Sequence, residues 1–148
     1  MSTDFLDFKI FAPVDAINLL QQCFGNNEKK LLIISKKSEE DVKLWDLLQK
    51  ILGAVKHDLK NDTTHLVLHE NQQFCLTDLF KQKTIKKIIC FGIAPKTAGL
   101  NFNITPYKAF EFENRTYLFV HDLQSISEKP ALKKQLWNEL KRMFLKIP

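Results

Sequence analysis

Apolar residues gather along this chain in short unbroken runs, separated by stretches of helical spacing. Leu31-Leu32-Ile33-Ile34-Ser35 and Ile88-Ile89-Cys90-Phe91 show no polar alternation, which marks strands covered on both faces. Lys86 and Lys87 lead into the second run and Gly92 closes it. Thr64 to His69 reads as a third strand lying between them in sequence. Helical patterns fill the gaps, so the centre is a small, mostly parallel sheet with helices on both sides.

The remaining pattern fills in that frame. Pro13 can open a helix running to about Phe24, with Val14, Ile17, Leu20 and Phe24 on its apolar side and Gly25 as its stop. Ser38 followed by Asp41 signs the start of a second helix. Its stripe is Val42, Trp45, Leu48, Ile51 and Leu52, with Trp45 in the core, and Gly53 ends it. Phe74 to Phe80 fits a short helix, and residues 93–100 a loop with at most one helical turn. Tyr107–Glu113 and Arg115–His121 read as a hairpin turning at Glu113-Asn114, or as a bent segment leading into a final core strand. Ser127 caps a last helix with Pro130 in its first turn, and Leu132, Leu136, Trp137, Leu140, Met143 and Phe144 face inward. The expected architecture is a single α/β domain over residues 1–148, a three-layer α/β/α sandwich. Residues 1–12 carry Phe5, Leu6, Phe8, Ile10 and Phe11, a segment either packed on the domain or offered to a partner.

Composition adds little that is decisive. With 148 residues, 45% hydrophobic and 12 phenylalanines, the chain suits one folded domain. Its 22 basic residues against 17 acidic ones leave +5, which permits a nucleic-acid or acidic partner without requiring one. Only Arg115 and Arg142 are arginines, so bidentate reading of bases or phosphates has few candidates. Cys23, Cys75 and Cys90 stand far apart beside apolar neighbours, the pattern of buried cysteines in a reducing compartment rather than of a zinc site. The acidic MSTDFLDF start lacks a basic leader and no apolar run reaches membrane-spanning length, so a cytoplasmic protein with no membrane contact is expected. No motif requires a cofactor or a metal.

Candidate chemistry is sparse. His65 and His69 are four apart on a strand, a separation of roughly 13 Å that one metal ion cannot bridge. His121-Asp122 ends a strand, where ligand sites of open α/β sheets gather. His121 is therefore a candidate catalytic or binding contact with Asp122, and the competing reading is that the pair caps the turn. If the strands are parallel, loops from Ser35, Gly92 and His121 emerge on one edge. Lys36 and Lys37, beside a helix start, are candidate phosphate contacts, or a solvated turn. The glycines after Phe91 make neither a dinucleotide fingerprint nor a phosphate loop. Lys129, Lys133, Lys134, Lys141, Arg142 and Lys146 on the last helix can track a phosphate backbone, or simply solvate it.

The closing segment Pro130-Ala131-Leu132-Lys133-Lys134-Gln135-Leu136-Trp137, with this size and layout, resembles the psi accessory subunit of the bacterial replicative DNA polymerase, DNA polymerase III, a member of the clamp-loader assembly. That fold is in turn similar to the uracil-DNA glycosylases. Lys87-Ile88-Ile89-Cys90-Phe91-Gly92 resembles their central strand, and Tyr117-Leu118-Phe119-Val120-His121 the strand that delivers the histidine of their His-Pro-Ser motif. Asp122-Leu123 replaces the Pro-Ser, and Ser35-Lys36-Lys37-Ser38 stands where they carry a loop with a water-positioning aspartate. The resemblance implies a noncatalytic protein-binding subunit of a replication assembly, with Phe5, Phe8 and Phe11 as partner contacts. The alternative is a uracil-DNA glycosylase-like hydrolase or nucleotide-binding enzyme with its pocket near His121.

Overall fold

The computed structural model describes residues 21–36, 42–69, 74–100 and 103–145. Among them, six strands form one mixed sheet: β1 (Cys23–Phe24), β2 (Leu31–Lys36), β3 (Thr63–Leu68), β4 (Lys87–Phe91), β5 (Phe110–Phe112) and β6 (Arg115–Val120). Their order across the sheet is β1-β3-β2-β4-β6-β5. The inner four are mutually parallel, pairing Ile33 with His65, Ile33 with Ile89, and Ile89 with Leu118. The two edge strands run antiparallel to their neighbours.

The unbroken apolar runs become the inner strands because both faces are covered. Leu31, Ile33, Ile89, Phe91, Leu118 and Val120 meet helices α1 (Val42–Ala54), α3 (Leu123–Glu128) and α4 (Pro130–Leu140) on one face. Leu32, Ile34, Leu66, Ile88, Cys90 and Phe119 meet Leu76 and Leu79 of α2 (Leu76–Gln82) on the other. A leucine or isoleucine sealed in this way contributes roughly 1.5–3 kcal/mol of transfer free energy, and β2 buries four of them in a row, Leu31 to Ile34.

Several local expectations are corrected. Phe24 does not close a helix: Cys23 and Phe24 pair with Leu66 and His65 as β1, and Phe24 is 53% exposed. Along α1 the buried positions are Leu44, Leu48 and Leu52, whereas Val42 is 78% exposed. Trp45 is half-buried at the margin of that stripe, its ring 5.3 Å from that of His65. Ser127 lies inside α3, donating to the Gln124 carbonyl at 2.7 Å, and the cap position of α4 belongs to Lys129 with Pro130 as first residue. Proline has no N–H to continue α3, so the chain restarts there as a new helix. The apolar face of α4 is as expected, with Leu136 and Leu140 buried and Leu132, Trp137, Met143 and Phe144 packed beside them, the last two in a wide π turn, Lys141–Leu145.

Glu113 and Asn114 turn the β5–β6 hairpin with φ of 52° and 66°, the mirror-image turn whose twist matches paired strands. Loop 93–100 contains one 3-10 turn, Pro95–Ala98. No helix among the described residues is long and apolar enough to cross a membrane.

Candidate functional site

Because β3, β2, β4 and β6 are parallel, their carboxyl ends share one edge. Lys36, His69, Gly92 and His121 stand at those ends or directly after them. From β2 the chain crosses to β3 on one side and then to β4 on the other. The switch point, where open α/β sheets open a crevice, is therefore between β2 and β4. His121 leaves the next strand over.

The structure gives His121 and Asp122 separate partners. The Nδ1 of His121 lies 2.9 Å from the Tyr107 hydroxyl, and the His121 N–H donates to that same oxygen at 3.4 Å. The two rings are 5.4 Å apart. Tyr107 is placed by its own N–H, which donates to the Phe119 carbonyl at 3.0 Å, and by a backbone φ of 62°. Burial raises the Tyr107 phenol above its usual pKa, offset by the bond to His121 and reinforced by the Asp122 charge. The hydroxyl stays protonated, so it can serve both the imidazole and the backbone.

Asp122 starts α3 in extended conformation, its side chain accepting from the Ser125 hydroxyl at 2.7 Å and its carbonyl from the Ile126 N–H at 3.1 Å. It also fills the space beside Gly92, whose N–H donates to the Val120 carbonyl at 2.9 Å.

A second polar pair escaped sequence reasoning. Ser35 Oγ and His65 Nε2 are 2.8 Å apart, with Ser35 1% and His65 2% exposed. Burial pushes the His65 imidazole down from 6.5 to about 4. Hydroxyl and imidazole at this distance are the components of a nucleophile–base pair, but an imidazole held this far down is a weak base at neutral pH and the pair is sealed under α1. Its evident work is to satisfy two polar groups inside the core. His69, by contrast, is exposed, and no cluster of three potential metal ligands occurs among the described residues.

Two cavities flank the β5–β6 hairpin. One of about 550 Å³ opens between α2 and the hairpin, lined by Thr77, Phe80, Lys81, Leu100, Arg115 and Tyr117 among others. The other, about 470 Å³, lies against α4, where Glu139, Arg142 and Lys87 contribute. Glu139 is buried there, accepting from the Ala109 N–H at 2.6 Å and from Arg142 at 2.9 Å. The chain's two arginines thus line one cavity each, which charge counting did not reveal.

Of the other candidates, Lys36 is half-buried at the end of β2, while Lys37, Phe5, Phe8 and Phe11 lie outside the described residues. Lys129, Lys133, Lys134 and Arg142 are exposed. The cysteines divide: Cys90 is buried and Cys23 half-buried, but Cys75 is exposed, because it sits at the start of α2 rather than on its apolar side. No protein-family model matches the sequence, and no curated protein sequence matches it either.

Proposed function

We propose that this chain is a noncatalytic, protein-binding subunit of a DNA replication assembly, similar to the psi subunit of DNA polymerase III, on a three-layer sandwich of the uracil-DNA glycosylase type. The observation that carries the reading is how His121 and Asp122 are used. A base-excising enzyme needs its histidine and a carboxylate directed at a pocket that receives an extruded nucleotide. Here the Tyr107 hydroxyl engages the imidazole at 2.9 Å, and the Asp122 side chain accepts from Ser125 while packing beside Gly92. Asp122 thereby serves the strand-to-helix junction, and the His121 Nδ1 is tied to the loop that precedes β5. Helices on both faces of a central parallel block of four strands suit the proposed layering. Phe5, Phe8 and Phe11 are the proposed anchors for the clamp loader, since buried aromatics dominate interface energetics.

A second reading keeps one observation in its favour. The switch point between β2 and β4 is where a nucleotide-binding or hydrolytic member would hold its ligand, with Lys36 and Lys37 toward phosphate and His121 on the flank. Uracil excision from labelled single- and double-stranded DNA separates the two. The proposal expects the wild type and His121→Ala to be indistinguishable from buffer. Excision by the wild type that His121→Ala abolishes would overturn it in favour of the hydrolase.

A further inference from the structure

We infer that the cavity between α2 and the β5–β6 hairpin is a docking site for an acidic segment of a partner protein, an apolar side chain flanked by carboxylates. The site deepens the partner-binding reading and rests on it for the identity of the partner. Arg115 is the fixed cation of this cavity. Its guanidinium lies 3.7 Å from the Phe80 ring centroid, and its Nε donates to the Ile85 carbonyl at 3.2 Å. Stacking on one face and a backbone bond at Nε fix the plane of the group and leave its terminal nitrogens as donors. Among the described residues Arg115 has no carboxylate partner, whereas Arg142 is paired with Glu139. A fixed guanidinium without a counter-charge, half-buried at a cavity wall, is prepared for a planar bidentate anion.

The rest of the cavity defines what accompanies that anion. Thr77 and Lys81 project from successive turns of α2 into the same space, adding a hydroxyl and a second cation. The other walls are apolar: Leu76, Phe80, Leu100 and Phe112, the last 42% exposed. Burial raises the Tyr117 phenol, so it stays neutral beside Arg115. A volume of about 550 Å³ is within the roughly 300–1,000 Å³ range of ligand-holding clefts, enough for one large side chain and its neighbours. Against Lys81 and Arg115, Glu113 contributes one negative charge. Two cations with one acid beside them suit a carboxylate-bearing peptide better than a nucleic acid, whose backbone needs a longer basic track.

The test uses the full chain and fluorescein-labelled, N-acetylated peptides Gly-Glu-Leu-Glu-Gly and Gly-Gln-Leu-Gln-Gly, with a fifteen-nucleotide oligo-dT as competitor, read by fluorescence anisotropy. The expected result is binding of the glutamate peptide at least tenfold tighter than the glutamine peptide, with no displacement by oligo-dT. Arg115→Gln should weaken it tenfold or more. Lys81→Glu, at an exposed position, should weaken it by a similar factor, and so covers the case in which Arg115→Gln unfolds. Equal binding of both peptides, no binding, competition by oligo-dT, or indifference to Lys81→Glu overturns the site. The two proposals fail separately. Failure to bind the glutamate peptide, with capture of purified clamp-loader subunits retained, sinks the docking site and spares the partner-binding reading. Peptide binding without any such capture does the reverse.

Discussion

A side chain at Gly92 would place its Cβ 2.8 Å from the Cβ of Asp122. The contact joins the end of β4 to the start of α3, so the carboxyl edge of the sheet closes by backbone-level packing. It also accounts for the glycine that ends the apolar run of β4, because Gly92 has a φ of +71°. Left-handed backbone costs a non-glycine residue roughly 1–2 kcal/mol, and the Asp122 Cβ is fixed to the main chain and cannot swing aside. Gly92→Ala should therefore destabilise the protein by about 2–3 kcal/mol in urea unfolding. Adding Asp122→Gly should recover little, because the Asp122 Cα stays 3.1 Å from the added Cβ and the bond from Ser125 is lost. A loss below about 1 kcal/mol in the single variant would contradict this packing.

The Ser35–His65 pair should make the fold acid-sensitive. His65 is held at about 4 in the folded state against 6.5 for an ordinary histidine, so the unfolded chain binds a proton first. Its contribution is full above pH 6.5 and falls as the pH drops from 6.5 toward 4, by on the order of 3 kcal/mol in all. Unfolding free energies at pH 7 and pH 5 measure it. The double variant Ser35→Ala/His65→Leu, which removes both polar groups together, should flatten that segment of the profile. An unchanged profile in the double variant assigns the acid sensitivity elsewhere.

The hairpin turn offers a stabilising change. Glu113 and Asn114 both hold positive φ, which asparagine followed by glycine adopts with less strain. The double variant Glu113→Asn/Asn114→Gly should raise stability by about 0.5–1 kcal/mol. Thermal melts of the two proteins decide it, and a lower midpoint would show that the turn is not of this type.

Thiol reactivity should rank the cysteines. Cys75 is exposed, while burial pushes the Cys23 thiol up to about 11 and the Cys90 thiol up as well. Native protein mixed with a disulfide reagent should release one rapid equivalent, and Cys75→Ser should abolish that phase. Cys23 and Cys90 should react only after denaturation. Three equal rates would contradict the burial of Cys90.

The inner strands and the apolar face of α4 were legible because their apolar runs answer to burial alone. Leu31 to Ile34 and Ile88 to Phe91 are sealed on both faces, and no other arrangement would hide them. The phase of α1 was not legible. Val42 and Trp45 share a stripe with Leu48 and Leu52 as readily as Leu44 does, and only the neighbouring sheet chooses Leu44. β1 has two residues and owes its existence to β3, so no local pattern announces it. At the candidate site, the edge where His121 emerges followed from parallel pairing. The partners did not: Tyr107 is fourteen residues from His121 and His65 thirty from Ser35, and hydrogen bonds over such separations leave no periodicity. The guanidinium of Arg115 is set by Phe80 and Ile85, far from it in sequence, so it too was invisible to composition.

The proposed role is binding of a replication partner rather than action on DNA. Isothermal titration of the intact purified protein with the purified clamp-loader complex of its source organism tests it most directly. The expected result is saturable binding with a dissociation constant in the micromolar range or tighter, kept by His121→Ala and lost when Phe5, Phe8 and Phe11 are all replaced by alanine. Absence of any binding by the wild-type chain would overturn the partner-binding role, and binding indifferent to the three phenylalanines would remove them as its anchors.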